Sequence, residues 1–466
     1  MVATTRNFDV VVIGGGPGGY AAALYGASAG LSVAVVEKDK VGGTCLHRGC
    51  IPAKEFLETA AVFRTVASAQ EFGVLSSAPM VDFAASQSRK QRVVDQLWKG
   101  LSGLMKGRKI EIIEGFGTYL GDGRVQIDGD EVIVGDNVIL AAGSKPRTIG
   151  GFEIDGKLIM TSDEVLALSS LPGQVAVIGG GAIGCEFASM MSDLGVKVTL
   201  LEALPSLLAG CDKDAADVVA RSFRKRGISV FTGVAVHGHE PSGDGTTVLY
   251  GDGQSVYVDA VIVSVGRAPS SDELVSADSN VKLDPRGFVE VDAYMRTSDP
   301  GVYAIGDLVA TAQLAHVGFA EAIVAIKSIL GEKTVPVDYQ KVPWCIYTHP
   351  EVAFAGLTEE AARAAGYDVV VKKDPFGGNS RARIIGETEG LVKVVAEKLP
   401  DGTAGRILGV HMAGPWVTEQ LGMGYLAVNW EATAEDIAHF IQPHPTLSES
   451  FGETVLALTG RGLHVG

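Results

Sequence analysis

Cysteine is scarce in this sequence, with five residues (45, 50, 185, 211 and 345) in a chain of 466. An odd, small number excludes the dense disulfide framework of a small secreted domain and points to a reducing, cytoplasmic setting. Positive charge is in deficit: 39 Lys and Arg stand against 55 Asp and Glu, a net charge of −16. The surface as a whole therefore repels a phosphate backbone, which excludes general nucleic-acid binding. No uninterrupted apolar helix is present either. Val10 to Val36 runs 27 positions without a charge, long enough for a membrane span, but seven glycines and Pro17 interrupt it. The opening MVATTRNFD lacks the apolar run and small-residue cleavage pattern of a signal peptide. Charge runs and low-complexity segments are missing, and no set of cysteines and histidines completes a metal site.

What the chain has in excess is glycine, 60 residues or about 13% against an average near 7%. Hydrophobic residues make 46% and charged residues 20%, the balance of a folded globular protein. The length accommodates about three domains. Strand-forming VVVI (10–13) runs into Gly14-x-Gly16-x-x-Gly19, an alanine-rich helix, and a second strand that ends at Glu37. The order recurs 165 residues later, where VAVI (175–178) enters Gly179-x-Gly181-x-x-Gly184 and VKVTLL ends at Glu202. A lone glycine fingerprint is often only a tight turn. Two copies in strand–turn–helix–strand context, each with its acid 23 residues after the first glycine, read as paired dinucleotide sites.

Each position answers a physical need. The first glycine permits the turn, the second lets the backbone approach a pyrophosphate, and the third lets helix pack on strand. The helix N-terminus then faces the diphosphate, and the acid takes the ribose hydroxyls. An acid there repels a 2′-phosphate, so Glu202 favours NAD over NADP if the second site holds the nicotinamide. Two sites imply two dinucleotides, a flavin that stays and a nicotinamide that exchanges. The fold class is α/β, with two Rossmann-like domains. An antiparallel meander is expected at 117–139, hairpins at 230–263, a strand ending at Gly306-Asp307, a helix at 314–330 and a separate α+β terminal domain after Pro343.

Cys45-Leu46-His47-Arg48-Gly49-Cys50-Ile51-Pro52 follows the first unit. On an ideal helix two residues five apart lie about 7.5 Å apart along the axis, too far for a relaxed disulfide. A bridge therefore needs a distorted first turn, for which Gly49 and Pro52 are suited. A helix N-terminus and Arg48 could then stabilise a thiolate. Zinc binding and two unrelated buried thiols are the other readings.

GGTCLHRGCIPAK (42–54), the two glycine fingerprints, AIGD (304–307) and HPTLSE (444–449) together resemble the flavin-dependent pyridine nucleotide–disulfide oxidoreductases. The resemblance runs from about residue 8 to 464 and is strongest to the branch that oxidises dihydrolipoamide with NAD⁺. It implies a Cys45–Cys50 redox disulfide, with Cys50 the charge-transfer thiol near FAD and Cys45 the interchange thiol. Lys54 near the flavin is implied to pair with Glu186. Gly14, Gly16, Gly19, Glu37, Gly143 and Asp307 are implied to bind FAD, and Gly179, Gly181, Gly184, Glu202 and Gly266 NAD. His444, oriented by Glu449, is the implied acid–base group, reaching the disulfide of the other subunit of a homodimer. Implied partners are the lipoyl domains of 2-oxoacid dehydrogenase complexes or of the glycine cleavage system. The implied domains are 1–150 (FAD, first part), 151–270 (NAD), 271–342 (FAD and central, second part) and 343–466 (interface). The chain departs from the widespread pattern at His47-Arg48, where Asn-Val is frequent, and at Ala53, where Ser or Thr is frequent.

Dithiol chemistry suits these residue types. A thiolate attacks a disulfide, so a thiol with an ordinary pKa near 8.5 needs a base close to neutrality, and histidine fixed by a carboxylate supplies one. The competing reading is an NAD(P)H-dependent reductase of a glutathione- or mycothiol-type disulfide, which Glu202 disfavours. Mercuric reductase is disfavoured by TGRGLHVG, which carries no cysteine pair, and a soluble transhydrogenase by the presence of both cysteines. A dinucleotide-sensing scaffold without turnover is the non-enzymatic alternative. His237 and His239 read as a solvated strand edge, Cys185, Cys211 and Cys345 as structural thiols, Trp98 and Trp344 as packing residues, and Lys38-Asp39-Lys40 as a solvated turn. His349-Pro350-Glu351 is assigned to structure.

Overall fold

The computed structural model describes residues 6–465. Within the charge-free stretch the backbone turns where glycine permits it. β1 (Asn7–Ile13) stops at Gly14, α1 (Pro17–Ser28) carries proline in its first turn, and β2 (Val33–Glu37) runs parallel to β1 with Val10 opposite Val33. Proline suits that position because its missing N–H has no intrahelical partner there. α2 (Gly43–Arg48), α3 (Cys50–Ser68), α4 (Phe83–Gly107) and β3 (Glu111–Glu114) follow. β4 (Gly117–Gly121), β5 (Arg124–Ile127) and β6 (Glu131–Leu140) form the expected meander. Its first turn holds Asp122 and Gly123 at φ 53° and 72°, the two-residue geometry that matches strand twist. The sheet order is β3-β2-β1-β6-β5-β4.

β7 (Ser144–Pro146), β8 (Ile159–Met160) and α5 (Ser162–Val165) lead to the second glycine unit. That unit comprises β9 (Gln174–Ile178), α6 (Ala182–Asp193), β10 (Lys197–Glu202), α7 (Lys213–Lys225) and β11 (Ser229–Thr232). The stretch expected as hairpins, 230–263, divides. β12 (Val236–Ser242), β13 (Gly245–Tyr250) and β14 (Gln254–Val258) are antiparallel. β11 and β15 (Ala260–Val263) instead join the parallel sheet, ordered β11-β10-β9-β15-β8. The physical reason is composition: β15 is AVIV, buried at all four positions, as a strand covered on both faces requires.

β16 (Arg267–Pro269) pairs antiparallel with β7, and β17 (Val302–Ala304) returns to lie parallel to the end of β6. α8 (Ala315–Ile329) packs along α1, and small residues set the approach, since a Cβ on Gly318 would lie 3.3 Å from the Gly18 amide nitrogen. Val10, Val11 and Val12 of β1 and Val175 and Val177 of β9 have no exposure. Each such side chain contributes about 1.5–3 kcal/mol on burial.

The C-terminal elements are β18 (Trp344–Ile346), β19 (Glu351–Gly356), α9 (Glu359–Ala364), β20 (Val369–Pro375), α10 (Ser380–Ile384) and β21 (Leu391–Lys398). β22 (Ala404–Gly414), α11 (Val417–Asn429), α12 (Ala434–Ala438) and α13 (Glu449–Leu458) complete them. The sheet is antiparallel throughout, ordered β18-β19-β22-β21-β20, and α11 and α13 share its core. Lys393 on β21 is buried, with its ammonium 2.9 Å from Asp212, 2.7 Å from Asp214 and 3.0 Å from Glu359. That cluster ties the start of α7 to the C-terminal sheet.

Candidate active site

The two glycine turns have the same construction. A Cβ on Gly14 would lie 2.3 Å from Ala141 O and one on Gly19 1.8 Å from Gly14 O; the matching values are 2.4 Å for Gly179 and 1.9 Å for Gly184. Packing of the protein on itself demands glycine at those four positions. The second glycines differ: nothing lies within 4 Å of a Cβ on Gly181, and only the Gly43 Cα, at 4.0 Å, near one on Gly16. That open backbone at a helix start is what a pyrophosphate needs, so the residues present fit a dinucleotide in each unit.

The two acids also hold their turns. Glu37 Oε2 accepts from Gly15 N at 2.7 Å and Oε1 from Asp39 N at 2.9 Å; Glu202 Oε2 accepts from Gly180 N at 2.5 Å and Oε1 from Leu204 N at 2.6 Å. A carboxylate has about four acceptor sites, so two remain for ribose hydroxyls. Gly143, at φ 73°, has open space beside it, and the neighbouring Ser144 hydroxyl donates to Asp307 at 2.6 Å. Gly266, at φ 104°, follows β15 and accepts from Arg147 N at 2.9 Å.

Between Cys45 and Cys50 the helix breaks. Cys45 lies within α2, Gly49 departs from helical geometry at φ −146° and ψ −112°, and Cys50 opens the 19-residue α3 without a side-chain cap. This is the distortion that the five-residue spacing requires. Both cysteines are thiols here. The Cys45 thiol hydrogen-bonds to Cys50 and, with the Lys54 charge, draws the Cys50 thiol down to about 7. The same bond, together with burial, pushes Cys45 far above an ordinary thiol. The N-terminus of α3 adds a favourable field for a thiolate. Arg48, expected to help, pairs instead with Asp39 at 3.3 Å, in the turn read as simply solvated. Lys38 and Lys40 of that turn lie over the Phe116 and Trp98 rings.

Lys54 lies one turn after Cys50. Its ammonium donates to both Glu186 oxygens, at 2.9 and 2.8 Å, and sits 4.9 Å from the centroid of the Tyr347 ring. Burial alone would lower Lys54, but Glu186 outweighs it and holds the amine above its ordinary value, as a cation. On the C-terminal unit, His444 Nδ1 meets Glu449 Oε1 at 2.8 Å, and Glu449 Oε2 accepts from Thr446 N at 2.7 Å. The carboxylate therefore fixes the tautomer and turns the Nε2 lone pair outward. The His444 side chain is 68% exposed, and among the described residues no hydrogen bond joins it to Cys45 or Cys50.

Comparison with known proteins places this geometry. Residues 8–325 match the pyridine nucleotide-disulphide oxidoreductase model, and residues 342–455 match the dimerisation domain of the same oxidoreductases. The chain belongs to the pyridine nucleotide-disulphide oxidoreductase family. It is similar to a dihydrolipoyl dehydrogenase of Bacillus subtilis, 40% identical over 98% of this chain and 99% of that one. A dihydrolipoyl dehydrogenase of Thermus scotoductus is 39% identical over 99% of each. Among solved structures, LpdA from Mycobacterium tuberculosis superposes with a TM-score of 0.90 at 26% identity, covering 98% of this chain and 100% of that one. The flavoprotein disulfide reductase RclA from Escherichia coli gives 0.86 at 26%, covering 96% and 99%.

Two residues that contact the expected site residues or their turns escaped the sequence reading. Glu321 on α8 has no exposure and accepts from Gly306 N at 2.6 Å, the Thr311 hydroxyl at 2.8 Å and the Tyr339 hydroxyl at 2.9 Å. It thereby holds the turn that presents Asp307, and its signal was the single acid in AHVGFAEAIVAIKSI. Tyr347, whose main-chain N donates to Glu186 Oε1 at 2.9 Å, carried no signal. His237 and His239 bond to Gly251 O and the Thr246 hydroxyl, at 2.9 and 2.8 Å. Cys185 and Cys345 bond to the carbonyls of Gly180 and Thr418.

Proposed function

We propose that this chain oxidises dihydrolipoamide to lipoamide with NAD⁺ as acceptor, through a Cys45–Cys50 disulfide. Full-length similarity to dihydrolipoyl dehydrogenases supports the reaction. The observation that carries the mechanism is the broken helix, with a low-lying Cys50 thiol at the start of α3 beside a lysine cation. FAD and NAD(H) are the cofactors. Gly14, Gly16, Gly19, Glu37, Lys54, Gly143 and Asp307 hold the first; Gly179, Gly181, Gly184, Glu202 and Gly266 hold the second.

In the oxidised enzyme His444 Nε2 takes a proton from one substrate thiol, and the imidazolium is stabilised by Glu449. The substrate thiolate attacks Cys45 Sγ, forming a mixed disulfide as the Cys45–Cys50 bond breaks and Cys50 leaves as thiolate. The second substrate thiol gives up its proton to water and attacks the first substrate sulfur, closing lipoamide. Cys45 departs and takes a proton from the imidazolium. Two electrons then reside on the cysteine pair, with Cys50 as thiolate beside Lys54, the protonation pattern the structure favours. Bound FAD supplies the two-electron route from this pair to NAD⁺.

His444 belongs to the matched dimerisation region and lies exposed, which supports its action on the disulfide of a second copy in a homodimer. Lipoyl domains of 2-oxoacid dehydrogenase complexes or of the glycine cleavage system fit as partners. The cytoplasm fits as the location; among the described residues no helix is long and apolar enough to cross a membrane. The working division of the chain is 1–150 and 271–342 for FAD, 151–270 for NAD and 343–466 for the interface. The deciding experiment is the initial rate of NAD⁺ reduction by dihydrolipoamide on yellow protein, beside NADP⁺. Fast reduction of NAD⁺ alone supports the reading, and no rate with either nucleotide overturns it.

A further inference from the structure

Three parts of the fold meet at the Lys54 ammonium. α3 carries it, α6 of the second parallel sheet supplies Glu186, and the connection between β18 and β19 supplies Tyr347. Tyr347 engages both partners at once: its main-chain N donates to Glu186 Oε1, and its ring centroid lies 4.9 Å from Lys54 Nζ. A cation is attracted to an aromatic face, more strongly as water is removed, and the Lys54 side chain is partly buried, 35% exposed. Around this ammonium and Cys50 the other titratable groups are Glu186, Cys45, Tyr20 and Cys345, with Glu351 and Glu419 beyond Tyr347. Glu186 draws the ammonium toward α6, so a contact on another side is needed to define where the long lysine side chain places its charge.

We propose that Tyr347 is a positioning residue of the redox centre, its ring fixing the Lys54 ammonium beside Cys50 so that the C-terminal unit helps hold Cys50 in its reactive form. The inference rests on the reading of Cys50 as the reactive thiol. Because the main-chain contact to Glu186 does not involve the side chain, substitutions other than proline leave its donor in place and the ring can be tested separately.

The test is the pH dependence of iodoacetamide labelling at Cys50, followed by mass spectrometry of its peptide. It uses full-length, flavin-loaded protein reduced with dithiothreitol. Tyr347→Leu removes the ring, and the labelling midpoint is expected to rise by about half a pH unit. Tyr347→Phe keeps the ring and restores the wild-type midpoint. An unmoved midpoint in Tyr347→Leu, or a rise in Tyr347→Phe as large as in Tyr347→Leu, overturns the proposal. If the leucine variant does not fold, Tyr347→Trp, whose ring binds a cation better, must show a midpoint at or below wild type, and a rise overturns it. Wild-type Cys50 labelling no more readily than an ordinary thiol would overturn the reading of Cys50 itself, a result distinguishable from the others.

Discussion

Glu202 grips Gly180: its Oε2 accepts the glycine amide at 2.5 Å while Oε1 takes that of Leu204 at 2.6 Å. The acid proposed to exclude a 2′-phosphate is thus also a clamp on the glycine turn proposed to receive the diphosphate. Glu202→Gln removes the charge but keeps one acceptor oxygen, so the preference for NAD⁺ over NADP⁺ in kcat/KM should fall by about tenfold. Glu202→Arg attracts the extra phosphate but leaves both amides without an acceptor. Its NAD⁺ efficiency should drop further than its NADP⁺ efficiency rises. Unchanged preference in both variants would remove Glu202 from nucleotide choice.

The two thiols should label in sequence. Cys50 should become half-reactive near pH 7, and Cys45 should stay protonated well above that pH. The sign follows from the lowered Cys50 value: as pH falls through about 7 the thiolate is lost, and dithiol turnover falls with it. Cys45→Ala removes the thiol that hydrogen-bonds to Cys50, so the Cys50 midpoint should rise. Cys50→Ser should yield folded, yellow protein without lipoamide turnover, and normal turnover would refute the disulfide mechanism.

His444→Gln should lower the dithiol half-reaction by about 10²–10⁴-fold while flavin binding survives. Glu449→Gln should cost less, because the imidazole remains. If His444 acts on a second copy, mixing His444→Gln with Cys50→Ser subunits creates heterodimers with one complete site. Random reassortment should then return about a quarter of wild-type activity. Failure of any activity to appear in verified heterodimers would place His444 and Cys50 of one chain in the same site.

The parts of this molecule that were legible in advance are those whose constraints are local. Gly14 and Gly19 are required by atoms a few residues away or on the neighbouring strand, and the acid that ends β2 or β10 bonds back to its own turn, so fixed spacing announces them. The break at Gly49 was readable for the same reason. Tyr347 was not, because its contacts to Lys54 and Glu186 come from elements far away in the chain. Arg48 misled because proximity in sequence to Cys50 says nothing of Asp39, with which it pairs. β15 was grouped with its hairpin neighbours because a four-residue apolar run shows no period of its own until the sheet surrounds it.

The Lys393 cluster makes a stability prediction. Its side chain is 3% exposed, and its ammonium faces Asp212, Asp214 and Glu359. Lys393→Met leaves the buried Asp212 without its cation, while Asp214 keeps Lys373 and Glu359 keeps Arg363, and a loss of about 3 kcal/mol is expected, seen as a lower Tm near neutral pH. Lys393 helps hold the Asp214 and Glu359 carboxyls below their ordinary range, so without it both titrate at higher pH than before. Lowering the pH through the carboxylate range should therefore narrow the gap between variant and wild type, whereas a gap that widens on acidification would show that the carboxylates do not carry the cost.

Finally, the glycines of one fingerprint should separate into two kinds. A Cβ at position 184 would sit 1.9 Å from Gly179 O, a main-chain atom that cannot move without displacing β9. Gly184→Ala should therefore lower the Tm and reduce folded yield. At position 181 the same Cβ meets nothing within 4 Å, so Gly181→Ala should fold with an unchanged Tm. If that open space takes the diphosphate, as proposed, the added methyl should raise KM for NAD⁺ with little change in labelling at Cys50. The contrast isolates ligand space from packing space within three residues. Equal losses of stability in both variants would mean that the turn is kept for folding alone and that the nucleotide lies elsewhere.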